Sequence, residues 1–291
     1  MFERILLVVL PVFLITALGY FVAKRSKPDF DVINRLGIDV FGPMLVFGAL
    51  AGKDFHIADY WTLSAAMVLS IALSGAAGWV LARGMRQSSL TWMPPIMFGN
   101  SGNLGIPMAL LAFGDGALPP TIVLFMISFC LQFVVCAWLL DRDVSLWSIW
   151  KVPTVMATLA GCLVSLAHIQ IWSPVIESTQ MVGKMAVALN TFALGVRLVD
   201  IDFKRWHEGV IGGVARPLIG GGLSAGVAYL LGLSPLATSL LILFGAMPPG
   251  ITNFILAERY NQEPHKVASI VLIGNAMSIV VLPLALTFVL R

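Results

Sequence analysis

Five stretches of this chain are long, apolar and free of charge: Ile5–Ala23, Thr62–Ala82, Gln87–Gly114, Gly116–Leu140 and Val267–Leu290. A helix needs about 20 apolar residues to cross the hydrocarbon of a bilayer. Only structures that satisfy their own backbone survive there, so each run commits the chain to a membrane helix. Weaker runs, each with one charge or one histidine, fill the gaps. Together they predict ten spans, at about 4–24, 33–52, 59–83, 91–114, 117–140, 151–169, 176–197, 208–232, 234–258 and 265–290. The chain is 58% hydrophobic and 11% charged over 291 residues, where a soluble domain carries roughly 25% charged residues. The expected fold class is an all-α polytopic membrane protein with no room for a soluble domain. The first run ends at Lys24 without a small-x-small cleavage site and reads as a retained helix.

Charge sets the orientation. Of the 18 Lys and Arg residues, only Arg4, Lys53 and Arg291 fall in one set of alternate loops; Lys184 and Arg216 fall inside spans, and all the others lie on the opposite side. Positive loops face the cytoplasm, which places both termini on the extracytoplasmic side. The tryptophans sit near span ends, as interfacial anchors do. Cys130, Cys136 and Cys162 have neither zinc nor redox spacing and read as packing residues. No two histidines have metal-ligand spacing. No metal, cofactor or nucleic-acid partner is expected; the lipid bilayer is.

The two ends of the chain resemble each other. Phe98-Gly99 and Phe244-Gly245 are 146 residues apart, Val134-Val135 and Val280-Val281 again 146, and Asp54-Phe55 and Asp202-Phe203 148. Five spans per half is an odd number, so the second half enters the membrane upside down. This predicts two inverted five-helix repeats, residues 1–143 and 144–291. In that register "GNSGNLGIP" (99–107) faces "GAMPPGITN" (245–253). Gly99, Gly102, Gly105 and Pro107 in one half, and Pro248, Pro249 and Gly250 in the other, weaken a helix at matching depth. Each span is therefore expected as two half-helices, with Pro107 and Pro248/Pro249 in the first turn of the second half-helix. The glycines serve packing or flexibility; the residues leave both open.

Unwound backbone survives at membrane depth only when buried in protein or lining a wet cavity. Two crossed breaks supply each other with partners and aim half-helix N-termini at one point, which suits an anion. Asn100, Ser101, Asn103, Thr252 and Asn253, with Gln132 and Asn275 from neighbouring spans, are the candidate substrate-binding residues. The competing reading is that the amides glue helices together. Among intramembrane charges, Asp39 lies four residues after Arg35 and is expected in a local ion pair rather than a proton relay, and Lys184 snorkels. Arg216 either neutralises a substrate carboxylate or caps the carbonyls of a broken helix.

"GNSGNLGIPMALLAFG" (99–114), "PPGITNFILAERYNQEPHKVASIVLIGNAMSIVVLPLAL" (248–286) and "GPMLVFGAL" (42–50) resemble the auxin efflux carrier family of membrane transporters. The resemblance implies the fold of bile-acid sodium symporters and NhaA-type sodium/proton antiporters. Spans 1, 2, 6 and 7 would form a scaffold and homodimer surface, and spans 3–5 and 8–10 a moving transport domain. It also implies substrate binding at the crossed helices 4 and 9, with Asn100 at the position of a substrate-contacting asparagine. Two departures stand out. The linker between the halves is only Asp141 to Trp150, as in a compact bacterial member, and span 3 lacks the acidic residue that supports the site in plant carriers, so auxin is a poor guess for the substrate.

The function expected is secondary transport of a small organic anion by elevator-type alternating access, coupled to protons, to sodium or to neither. The alternative is a sodium-coupled symporter or sodium/proton antiporter on the same fold, which would want carboxylates at the crossing. An intramembrane enzyme has no support: "HEGV" at His207 is not H-E-x-x-H, and there is no G-x-S-x-G.

Overall fold

The structure, a computed structural model, describes residues 2–26, 31–52, 57–140, 152–200 and 203–290. The linker expected at Asp141–Trp150 and the repeat match at Asp54-Phe55 and Asp202 lie outside them. Regular structure among the described residues is helical: α1 Phe2–Ser26, α2 Asp31–Leu36, a π-helical turn Gly37–Phe41 leading into α3 Gly42–Leu50, α4 Trp61–Gly84, α5 Ser89–Met97, α6 Ile106–Phe113, α7 Leu118–Leu140, α8 Pro153–Leu166, α9 Ser173–Arg197, α10 Trp206–Leu230, α11 Pro235–Gly245, α12 Ile251–Arg259 and α13 Pro264–Val289. Ile5–Ser26, Trp61–Gly84, Asp115–Leu140, Trp206–Leu230 and Pro264–Val289 are long and apolar enough to cross a membrane. The chain is a multi-pass membrane protein embedded in the bilayer.

Local chemistry sets the helix ends. Proline occupies the first turn of α6, α8, α9, α11 and α13, where a missing N–H costs nothing. Gly114 and Gly232, at φ 79° and 60°, take positive-φ conformations just past α6 and α10 that glycine adopts without a Cβ clash, which lets the chain turn.

In lipid, helices associate by close packing rather than by the hydrophobic effect, and small residues permit it. A Cβ on Gly195 of α9 would lie 1.8 Å from the Thr16 carbonyl oxygen of α1, and one on Gly183 would lie 2.5 Å from Leu45 Cα of α3. These contacts draw α1, α3, α8 and α9 into one group. In a second group α10 packs on α13, where Cβ atoms on Gly209 and Gly212 would meet Ile273 and Ile270 at 2.5 and 2.6 Å. α4, α5 and α11 pack on α10, and α7 packs on α4. The second group holds the two interrupted helices.

Candidate functional site

The site is the point where the two interruptions meet. Between α5 and α6 the chain leaves the helix only at Phe98–Asn100, extended at Phe98 and turning at Asn100, and then coils through a π-helical turn, Ser101–Gly105. Gly102 and Gly105 are thus part of a helical turn, a smaller interruption than a stretch unwound through Gly105. The other break runs from Ala246 to Gly250, between α11 and α12. Pro107 occupies the first turn of α6 as expected. Pro248 and Pro249 do not open α12, which begins at Ile251; they form the extended segment before it.

The extended segments pair antiparallel at Gly99 and Pro249. The Asn100 N–H donates to the Pro248 carbonyl at 2.7 Å, and the Gly250 N–H donates to the Phe98 carbonyl at 3.0 Å. Prolines suit this place because each brings an acceptor and no N–H that would need a partner at this depth. Close approach explains Gly99 and Gly250. A Cβ on Gly250 would lie 2.8 Å from the Gly99 oxygen, and one on Gly99 would lie 2.9 Å from Arg216 Nη2. Cβ atoms on Gly102 and Gly105 would meet the rings of Phe125 and Phe244 at 3.2 and 3.3 Å. Their φ values are not among the positive ones, so packing accounts for these glycines.

Amide side chains tie the crossing to its neighbours, and their orientation follows from the carbonyls they face. Asn253 Nδ2 meets the Phe98 and Gly250 carbonyls, both at 2.9 Å. Only an NH2 group can face two acceptors, so Asn253 Oδ1 is left to accept from Gln132 Nε2 at 2.8 Å. By the same logic Asn275 Nδ2 donates to the Pro249 and Val271 carbonyls at 2.8 and 2.7 Å, and its Oδ1 accepts from Asn100 Nδ2 at 2.7 Å. Asn100 Oδ1 accepts the Asn103 N–H at 3.3 Å and so caps the π-helical turn. All four amides are buried, at 2–5% exposure.

An NH2 group has two hydrogens. Asn253 and Asn275 use both on the protein. Asn100 and Gln132 use one each on the described residues and keep one N–H to offer. Ser101, Asn103 and Thr252 are half-buried around them. The candidate set therefore divides by its hydrogen bonds: Asn253 and Asn275 have both amide hydrogens engaged, whereas Asn100 and Gln132 each keep a spare donor among the described residues.

Arg216 lies beside the crossing, 3% exposed. Its Nη1 donates to the Gly245 carbonyl and its Nη2 to the Phe244 carbonyl at 3.4 Å. Of its two expected roles, capping the end of α11 is the one occupied here. Asp39 lies in the π-helical turn before α3, exposed, and is not ion-paired with Arg35 among the described residues. An exposed pair in water gains too little to hold two side chains together. Lys184 pairs with Asp115 at 3.5 Å, both largely exposed.

Sequence reasoning missed Thr191 of α9, whose hydroxyl lies 3.3 Å from the Asn103 carbonyl and 2.9 Å from Val187's. It also missed the rings of Phe125, Phe129 and Phe133, tilted against one another along α7 with centroids 5.6 and 4.9 Å apart. A threonine or a phenylalanine in an apolar helix carries no signal of its own.

Apolar helices with two interrupted members, bonded through polar breaks deep inside, define a polytopic membrane protein with a buried polar centre of the kind carriers use. The chain belongs to the membrane transport protein family, which matches residues 5–140 and 139–286; this bears out the family expected from residues 99–114 and 248–286. It is also 27% identical over 297 residues, 95% of either chain, to an uncharacterized transporter of Methanothermobacter thermautotrophicus (strain Delta H). The protein is a membrane transporter.

Proposed function

We propose that the protein is a secondary active transporter that moves a small organic anion by elevator-type alternating access, with the carboxylate held where the interrupted spans 4 and 9, α5–α6 and α11–α12, cross. The observation that carries this reading is the pair of spare amide N–H groups on Asn100 and Gln132. They sit at a crossing flanked by the starts of α12 and of the turn into α6. Donors and helix N-termini converge there, and both favour negative charge. The half-buried Ser101, Asn103 and Thr252 surround them and are the side chains a ligand reaches first.

In this reading the chain has ten spans in two inverted repeats, 1–143 and 144–291, and the two matched family segments meet close to that boundary. The group of α1, α3, α8 and α9 is the scaffold and homodimer surface, and the group holding the crossing moves against it. Both termini lie outside a bacterial inner membrane. Coupling to protons or sodium is decided by gradient removal.

The test is counterflow in proteoliposomes with a panel of radiolabelled mono- and dicarboxylates. A carboxylate that exchanges in wild-type protein is expected to lose at least about 10-fold of its rate in Asn100→Ala and Gln132→Leu, since a lost charge-assisted hydrogen bond costs roughly 1.5–3 kcal/mol. Undiminished exchange by both folded variants would remove the crossing as the substrate site.

A further inference from the structure

Beside the crossing, between α4 and α10, lies a small cavity of about 10 Å³ whose lining includes Ser70, Ser74, Ser224 and Arg216. Two of these residues carry buried polar atoms with no hydrogen-bond partner among the described residues: Arg216 Nε and Ser70 Oγ. Both side chains are more than nine-tenths buried, at 3% and 4% exposure. An orphaned buried donor costs about 1–3 kcal/mol, and more when it belongs to a charged group. Two of them on residues that line one cavity call for a shared partner.

The charge of that partner follows from what surrounds the guanidinium. Among the described residues Arg216 forms no ion pair with a carboxylate. Its Nη groups are engaged by the carbonyls that end α11, and a helix C-terminus carries only about half a negative charge. Part of a buried positive charge is therefore uncompensated. The lining residues bring a guanidinium and three serine hydroxyls, all able to donate, together with the apolar or weakly polar side chains of Met67, Ile71, Met97 and Phe244. A space this small suits one atom-centred body better than the two oxygens of a carboxylate or a tetrahedral oxyanion.

We propose that Arg216, Ser70, Ser74 and Ser224 form a seat for a single halide-class anion, chloride in the first instance, separate from the amide crossing. Arg216 then has two roles: its Nη groups hold the end of α11 and its Nε–H, with the serine hydroxyls, binds the ion. The seat joins a helix of the first half to two of the second, so an occupant ties α4 to α10 and α11. It stands independently of the organic-anion reading, because neither Asn100 nor Gln132 takes part.

Thermal unfolding of the purified full chain in sodium chloride, sodium bromide and sodium methanesulfonate at equal ionic strength tests this; the control anion carries no carboxylate, so it does not address the amide crossing. A saturable rise in midpoint of about 2–5 °C with chloride and bromide, and none with methanesulfonate, is expected from binding to the folded state. Ser70→Ala leaves the α11 cap intact and is expected to move half-saturation to about 10-fold higher chloride; Arg216→Gln abolishes the halide response. Crystals grown in bromide should show an anomalous peak in the cavity. Superimposable chloride and methanesulfonate curves, an unchanged half-saturation in Ser70→Ala, or a water molecule without anomalous signal in the cavity would each overturn the seat.

Discussion

Asn253 and Asn100 occupy matching halves of the crossing, yet their hydrogen bonds give them different work. Asn253 spends both amide hydrogens on backbone carbonyls of the two breaks and its oxygen on Gln132. Asn253→Ala is expected to lower stability by about 1–3 kcal/mol, since it leaves buried groups without partners that water cannot reach. Thermal unfolding in detergent reads this directly, and a midpoint equal to wild type would show that the crossing holds without the amide. The residue types at the site were legible in the sequence, because Asn, Gly and Pro in a charge-free span have few other uses. Their division of labour was not. Which hydrogen of an amide stays free depends on where carbonyls 26 and 155 residues away come to rest.

At the scale of elements, the turns α4–α5 and α12–α13 clasp each other. The Thr91 hydroxyl donates to Glu263 Oε2 at 2.5 Å, Gln262 Nε2 donates to Ser88 Oγ at 3.2 Å, and Lys266 Nζ donates to Gln87 Oε1 at 3.0 Å. Lys266 also pairs with Glu263. Both turns contain left-handed residues, Arg86 at φ 54°, Asn261 at 51° and Glu263 at 41°, a conformation that non-glycine residues seldom adopt. Burial pushes the Glu263 carboxyl up, but the hydrogen bonds from Lys266 and Thr91 and the charges of Lys266 and Arg205 outweigh it and hold the group below its ordinary value of 4.5. A carboxyl lowered in the folded state contributes stability above its unfolded pKa and loses it as pH falls through the folded one. Wild type should therefore unfold at a higher temperature than Glu263→Gln near pH 7, with the gap closing below about pH 4.5. A gap that does not change with pH would mean that Glu263 acts only through packing. Nothing in the sequence announces the clasp, since polar residues in short turns look alike until two turns meet.

For the molecule as a whole, the reading that one helical group moves against the other makes their contacts informative. Thr158 of α8 reaches Met126 of α7 at 3.3 Å, Oγ1 to Sδ. In a background where Cys130, Cys136 and Cys162 are replaced by alanine, a cysteine pair made by Thr158→Cys and Met126→Cys is expected to cross-link. Oxidation should then stop carboxylate exchange, and a reductant should restore it. Full exchange in the cross-linked protein would show that transport does not need these groups to move.

The sequence by itself determined that the chain lives in a membrane, where its helices lie and where two of them break. Long uncharged runs have no other stable home, and proline and glycine interrupt helices through their own covalent geometry. It also carried enough of its family's motifs, at 99–114 and 248–286, to place it among membrane transporters. Only the tertiary structure decided that Pro248 and Pro249 precede α12 rather than open it, and that Asn275 and Asn253 spend both amide hydrogens on backbone carbonyls. The same holds for Arg216, which holds the end of α11 with its Nε–H turned to no protein acceptor among the described residues. Those outcomes depend on hydrogen bonds between residues far apart in the chain, and a donor in a linear sequence does not name its acceptor.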